Sequence, residues 1–117
     1  MSLDSVLRKK CISFSLRIVK MYQYLKDEHK EFVMSRQILR SGTSIGANVT
    51  EAIYACSRKD FSAKLQIARK EAAETLYWLE ILYGSSYIEE PLYHSFYKDC
   101  NELLSMISST IQTTAKD

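Results

Sequence analysis

The sequence predicts an all-α protein, a single antiparallel up-down-up-down four-helix bundle over residues 1–117, on three observations. Apolar residues recur in four stripes at spacings of 4 and 3, only 3 Gly and 1 Pro occur in 117 residues, and three short polar interruptions separate the stripes. That spacing marks one face of an α-helix, and an all-β chain of this size would need many more turn residues.

The first helix is expected from about Ser5 to His29, carried by Leu7, Cys11, Phe14, Ile18, Met21 and Leu25. Lys26 to Glu31 contains no apolar anchor and predicts a tight turn. The second helix, about residues 32–57, carries Ile38, Gly42, Ile45, Val49, Ala52 and Cys56. Inside a helix Gly42 and Gly46 each cost about 1 kcal/mol relative to alanine. A close neighbouring helix, a kink, or a backbone open to a partner would offset that cost. Ser57 or Asp60 is available as N-cap for the third helix, about 60–83, with Phe61, Leu65, Ala68, Ala72, Thr75, Leu79 and Leu82 as its stripe. Gly84 is expected to end it in left-handed geometry. The fourth helix, about 90–113, opens on Glu90 and Pro91 and carries Leu92, Phe96, Cys100, Leu103, Ile107 and Ile111, with Thr113 to Asp117 fraying. Helices this long, joined by short turns, pack as antiparallel neighbours in a bundle about 35 Å long.

Composition excludes several functions. The net charge of +2 is too small for a molecule that attracts polyanions with its whole surface. No apolar run approaches the roughly 20 residues of a membrane span, and Met1, Ser2, Leu3 and Asp4 lack a signal pattern, so a cytoplasmic location with no membrane partner is expected. Cys11, Cys56 and Cys100 form no disulfide framework and read as buried structural thiols on their stripes. No Glu is followed three residues later by His, as a di-iron bundle requires. Cys11 and Cys56 fall at the opposite end of the bundle from His29 and His94, so no zinc set converges. Phosphate-loop, dinucleotide and nucleophile-elbow motifs are absent, and Glu71 and Glu74 read as salt-bridge partners rather than an acid-base pair. No catalytic residue, metal, cofactor or small-molecule substrate is expected.

Three features remain. Leu76, Tyr77, Trp78 and Tyr83 surround the third helix with apolar groups, and Ile12, Leu16 and Val19 add a second set to the first. Such surplus implies self-association, with wide core packing by large aromatics as the alternative. Arg40, Ser44, Asn48 and Glu51, with Ser41 beside them, form a polar line on helix two. It either hydrogen-bonds to Glu71, Glu74 or Arg69 and sets the helix register, or contacts a ligand or nucleic acid. Charge is also unevenly placed: residues 1–59 hold 11 Lys+Arg and 5 Asp+Glu, net +6, and residues 60–117 hold 5 and 9, net −4. Arg8, Lys9, Lys10, Arg17 and Lys20 make helix one a candidate phosphate-backbone face, the alternatives being a solvated face or pairing with a neighbouring subunit's acidic half.

Arg40-Ser-Gly-Thr-Ser-Ile-Gly-Ala-Asn-Val-Thr-Glu-Ala52, Ser57-Arg-Lys-Asp-Phe61 and Ile67-Ala-Arg-Lys-Glu-Ala-Ala-Glu-Thr-Leu-Tyr-Trp-Leu79 carry a resemblance over most of the chain. It is to the bacterial four-helix bundle proteins encoded in intervening sequences of 23S ribosomal RNA genes. These S23-like proteins resemble in turn the accessory variability determinant of diversity-generating retroelements. The resemblance implies a barrel-like homopentamer and a role in binding RNA or a nucleic-acid-processing protein. It carries over Arg40, Ser41, Ser44, Asn48, Glu51, Glu71, Glu74 and Trp78 without a catalytic role. Gly46 stands where many relatives carry proline.

Overall fold

A computed structural model describes residues 3–116, with side chains from residue 6 onward; Met1, Ser2 and Asp117 lie outside it. Four helices follow a π-helical turn at Leu3–Arg8: α1 (Lys9–His29), α2 (Met34–Ile53), α3 (Arg58–Gly84) and α4 (Glu90–Lys116). They pack in ring order, α1 on α2, α2 on α3 and α3 on α4, while α4 closes on α1 through much sparser contact. The bundle measures 47 × 21 × 20 Å. It exceeds the expected 35 Å because α3 and α4 run for 27 residues each, about 40 Å at 1.5 Å per residue. Thr113 to Lys116 continue α4 rather than fraying.

The predicted stripes form the core, where Leu7, Ile18, Ile38, Ile45, Leu65, Leu79, Leu103 and Ile107 are all buried. Phe14 and Phe96 meet edge to face at 6.1 Å across α1 and α4. In α4 the stripe member Leu92 is left at the surface, and Ile88, in the loop before the helix, is buried instead. Helix two ends at Ile53, earlier than expected, so Cys56 lies in the turn and is exposed rather than in the core. The turn follows from capping: the Asp60 N–H donates to Ser57 Oγ at 3.0 Å, and Asp60 Oδ2 accepts from the Cys56 N–H at 3.3 Å. Ser57 is the N-cap, and Asp60, in the first turn of the helix, reaches back to the residue before that cap.

The other two turns depend on residues whose role was not expected. The Glu31 carboxylate reaches across the α1–α2 turn and accepts the N–H groups of Val33 (3.2 Å) and Ser35 (2.7 Å), satisfying donors that open α2. Lys30 turns the chain at φ 52°, and the Glu31 N–H returns to the Leu25 carbonyl at 3.0 Å. After α3 the left-handed residue is Ser86 (φ 69°), not Gly84, which remains in the helix; Tyr87 N–H closes the turn on Leu82 O at 2.9 Å.

Gly42 and Gly46 mark the close approach of α1 and α2. A Cβ at Gly42 would stand 2.8 Å from Ile18 Cγ1, and one at Gly46 would stand 3.0 Å from Cys11 Cβ. Around Gly84 nothing lies within 4 Å. Helix propensity alone makes alanine better than glycine by about 1 kcal/mol at all three sites. Packing reverses the sign at one of them: we expect Gly42→Ala to destabilise by about 1–3 kcal/mol through overpacking and Gly84→Ala to stabilise slightly. Urea unfolding of the two variants measures both signs, and equal stabilisation by both would remove the close-approach argument.

Candidate functional site

The polar line of α2 lies against α3. Arg40 Nη1 donates to Glu71 Oε2 at 3.0 Å, and its second amino group is held by Glu74. Glu74 also accepts from Trp78 Nε1 at 3.0 Å, so one guanidinium and one indole fix the carboxylate between them. Below this layer the hydroxyls of Ser41 and Thr75 meet at 2.9 Å in a fully buried position, and Thr75 donates to the Glu71 carbonyl. Ser44 and Asn48 bond back to carbonyls of their own helix, at Arg40 and Ser44 respectively. Glu51 pairs with Lys64 Nζ at 3.0 Å, which raises the lysine pKa through that hydrogen bond. Arg69 takes no part in these bonds. The line is therefore occupied by a clamp between α2 and α3, open to solvent on its outer edge.

The candidate basic residues of α1 divide. Lys10 pairs with Glu102 at 3.3 Å, and Arg17 with Asp99 at 2.6 Å and Ser95 at 2.9 Å. The Arg17 guanidinium also lies 4.1 Å from the Phe96 ring centroid. These pairs line a cleft of about 290 Å³ along the α1–α4 seam. They bind the two helices across it, so Lys10 and Arg17 are not free cations as expected. Exposed ion pairs of this kind contribute about 0.2–1 kcal/mol each. Arg8 donates to Thr50 Oγ1, while Lys9 and Lys20 are exposed and make no ion pair among the described residues.

The surplus apolar groups also divide. Leu76 and Trp78 are half-buried against the core, as the aromatic-packing alternative holds, whereas Tyr77 (54% exposed) and Tyr83 (38%) face outward. Tyr83 stacks on Tyr93 at 4.5 Å, and Tyr93 approaches Tyr97 at 5.6 Å. Desolvation and the nearby Glu80 carboxylate raise the Tyr93 hydroxyl pKa. On α1, Ile12 (41%), Leu16 (61%) and Val19 (37%) remain exposed beside one another. Burial pushes the Cys11 and Cys100 thiols up to about 12, and Cys100 Sγ donates to the Ala72 carbonyl. No group of three metal-ligating side chains occurs among the described residues, and no described helix is long and apolar enough to cross a membrane.

Fold and surface together define a four-helix bundle whose distinctive groups lie on its outer faces: an Arg-Glu-Glu clamp, an aliphatic face and an aromatic acidic face. The profile of the 23S rRNA-intervening sequence protein family matches residues 4–109, and the chain belongs to that family. The chain is also similar, at 52% identity and a TM-score of 0.92, to the crystal structure of a protein with unknown function from the S23 ribosomal protein family from Bacteroides thetaiotaomicron VPI-5482. The match covers 94% of this chain and 98% of that one. No curated protein matches the chain.

The buried Ser41–Thr75 pair generates one prediction and the thiols another. Thr75→Val should cost about 1–3 kcal/mol by stranding the Ser41 hydroxyl, and adding Ser41→Ala should recover part of the loss, measured by denaturant unfolding. At pH 8 a thiol reagent should titrate Cys56 alone in the native protein and all three cysteines after unfolding. Rapid native reaction of Cys11 or Cys100 would contradict their burial.

Proposed function

We propose that the protein is a non-enzymatic binding protein that self-associates, as the homopentamer implied by its family resemblance, and binds RNA or a ribonucleoprotein through a cationic surface. The observation that carries the reading is the placement of its cations. Arg8, Lys9, Arg58, Lys59 and Lys116 gather at the end where α1 and α3 begin and α2 and α4 finish. Of the carboxylates described there, Glu51 and Glu102 are taken by Lys64 and Lys10, and Asp60 is engaged in the α3 cap. These five cations, drawn from both halves of the sequence, give the bundle a basic end, and the surface that best suits a phosphate backbone is this end rather than the length of α1. Lys9 and Arg8 belong to it; Lys20 lies farther along.

A second reading, a protein-binding assembly module without nucleic acid, is favoured by the internal pairing of Lys10 and Arg17 and by the small net charge. The two readings separate in a salt titration. RNA binding by the wild type should weaken steeply with salt, and Lys9→Ala combined with Arg58→Ala and Lys59→Ala should flatten the slope of log K against log salt by about 2. Lys10→Ala with Arg17→Ala should leave that slope nearly unchanged. Equal binding by the wild type and the triple variant at every salt concentration would reject the cationic end.

A further inference from the structure

Two opposite faces of this bundle are complementary in charge and in apolar character. On α1, from Lys9 to Lys26, there are five Lys and Arg residues and no carboxylate, and on α2, from Met34 to Thr50, Arg36 and Arg40 again stand without one. From Glu71 to Tyr97, across the second half of α3 and the start of α4, the chain holds Glu71, Glu74, Glu80, Glu89 and Glu90 and not one Lys or Arg. Internal ion pairs use Lys10, Arg17, Arg40, Glu71 and Glu74. Lys9, Lys20 and Arg36 on one side, and Glu80 and Glu89 on the other, then form no ion pair among the described residues; Glu90 has only His94 of its own helix.

The apolar groups follow the same division. The cationic side presents the aliphatic row Ile12, Leu16 and Val19 beside the small residues of α2 around Gly46 and Ala47, a flat surface because the two helices approach closely there. The acidic side presents Tyr77 and the stacked pair Tyr83–Tyr93. In the ring order α1-α2-α3-α4 the α1/α2 pair and the α3/α4 pair are opposite edges of the bundle, so a single molecule cannot bring them together.

We infer that the occupant of each face is the other face of a second copy: the aliphatic, cationic α1/α2 surface of one protomer docks on the aromatic, acidic α3/α4 surface of the next. This rests on the self-association proposed above and specifies how it is built. Because the two surfaces differ, the contact is heterologous and each protomer uses both, so the assembly grows beyond a dimer into a closed ring or an open filament. Like charges within each face oppose a two-fold, face-to-itself dimer, which supplies specificity as well as attraction. A side-by-side contact leaves the bundle ends free, and in a ring the cationic ends lie on one rim.

The test uses one variant per face and their mixture, read by light scattering with circular dichroism as the control for folding. Leu16→Asp spoils the α1/α2 face at an exposed position, and Tyr77→Lys with Glu80→Lys spoils the α3/α4 face. The wild type is expected above dimer mass, each variant at the 13.5 kDa of one chain, and the equimolar mixture at twice that mass, because each variant retains the face that the other lacks. Lys9→Glu with Lys20→Glu should behave as Leu16→Asp does, without touching an apolar residue. A wild type that stays monomeric overturns this pairing together with the self-association beneath it. Undiminished oligomers of the variants overturn the pairing alone, and a mixture that remains monomeric overturns its heterologous character.

Discussion

The close approach of α1 and α2 is the constraint on which the rest of this bundle depends. Without side chains at Gly42 and Gly46, Ile18 and Cys11 lie almost on the α2 backbone, and the two helices form one thin layer. Interaxial distance in a helix pair is set by the side chains at the contact, so replacing glycine with anything larger must push α1 outward. The layer turns Phe14, Ile18 and Met21 of α1 toward the core, which leaves Ile12, Leu16 and Val19 nothing of their own chain to cover them. The two glycines of α2 thus go together with an exposed aliphatic row on α1.

The other three contacts are made differently. Between α2 and α3 the buried Ser41–Thr75 hydroxyl pair and the Arg40–Glu71–Glu74–Trp78 network specify register, since a shift by one turn would strand several polar groups at once. Between α3 and α4 the tyrosine stack supplements the core. Between α4 and α1 the Phe14–Phe96 pair and two surface ion pairs bridge a shallow cleft. One bundle therefore joins its helices by backbone proximity, by buried hydrogen bonds, by aromatic stacking and by surface charge, in that order around the ring.

The architecture was legible in the sequence because the 3-4 spacing reports a helix face directly, and nearly every stripe residue from Leu7 to Ile107 is in the core. Features that depend on one residue's cap were less visible. Cys56 continues the stripe of α2 by count, yet the Ser57–Asp60 cap starts a new helix so near that α2 must stop at Ile53. Glu31 caps a helix from outside it, three residues before the first helical position, where no propensity scale looks. The fates of Lys10 and Arg17 could not be read along the chain, since their partners Glu102 and Asp99 lie more than 80 residues away. The charge asymmetry was visible as two halves of the sequence, but the separate basic end appears only when four chain segments are brought together.

The sparse α1–α4 seam has a kinetic consequence. Contacts between successive helices close loops of a few tens of residues, whereas α4 meets α1 only after nearly the whole chain has been spanned, where the entropy of closure is largest. A structure that concentrates its packing in neighbouring hairpins and makes its longest-range contact its weakest has a low contact order, the condition for rapid folding. The α2–α3 hairpin, with the densest contact and the buried hydroxyl pair, is the natural nucleus. We expect the two terminal helices to dock on it from either side and the seam between them to close last.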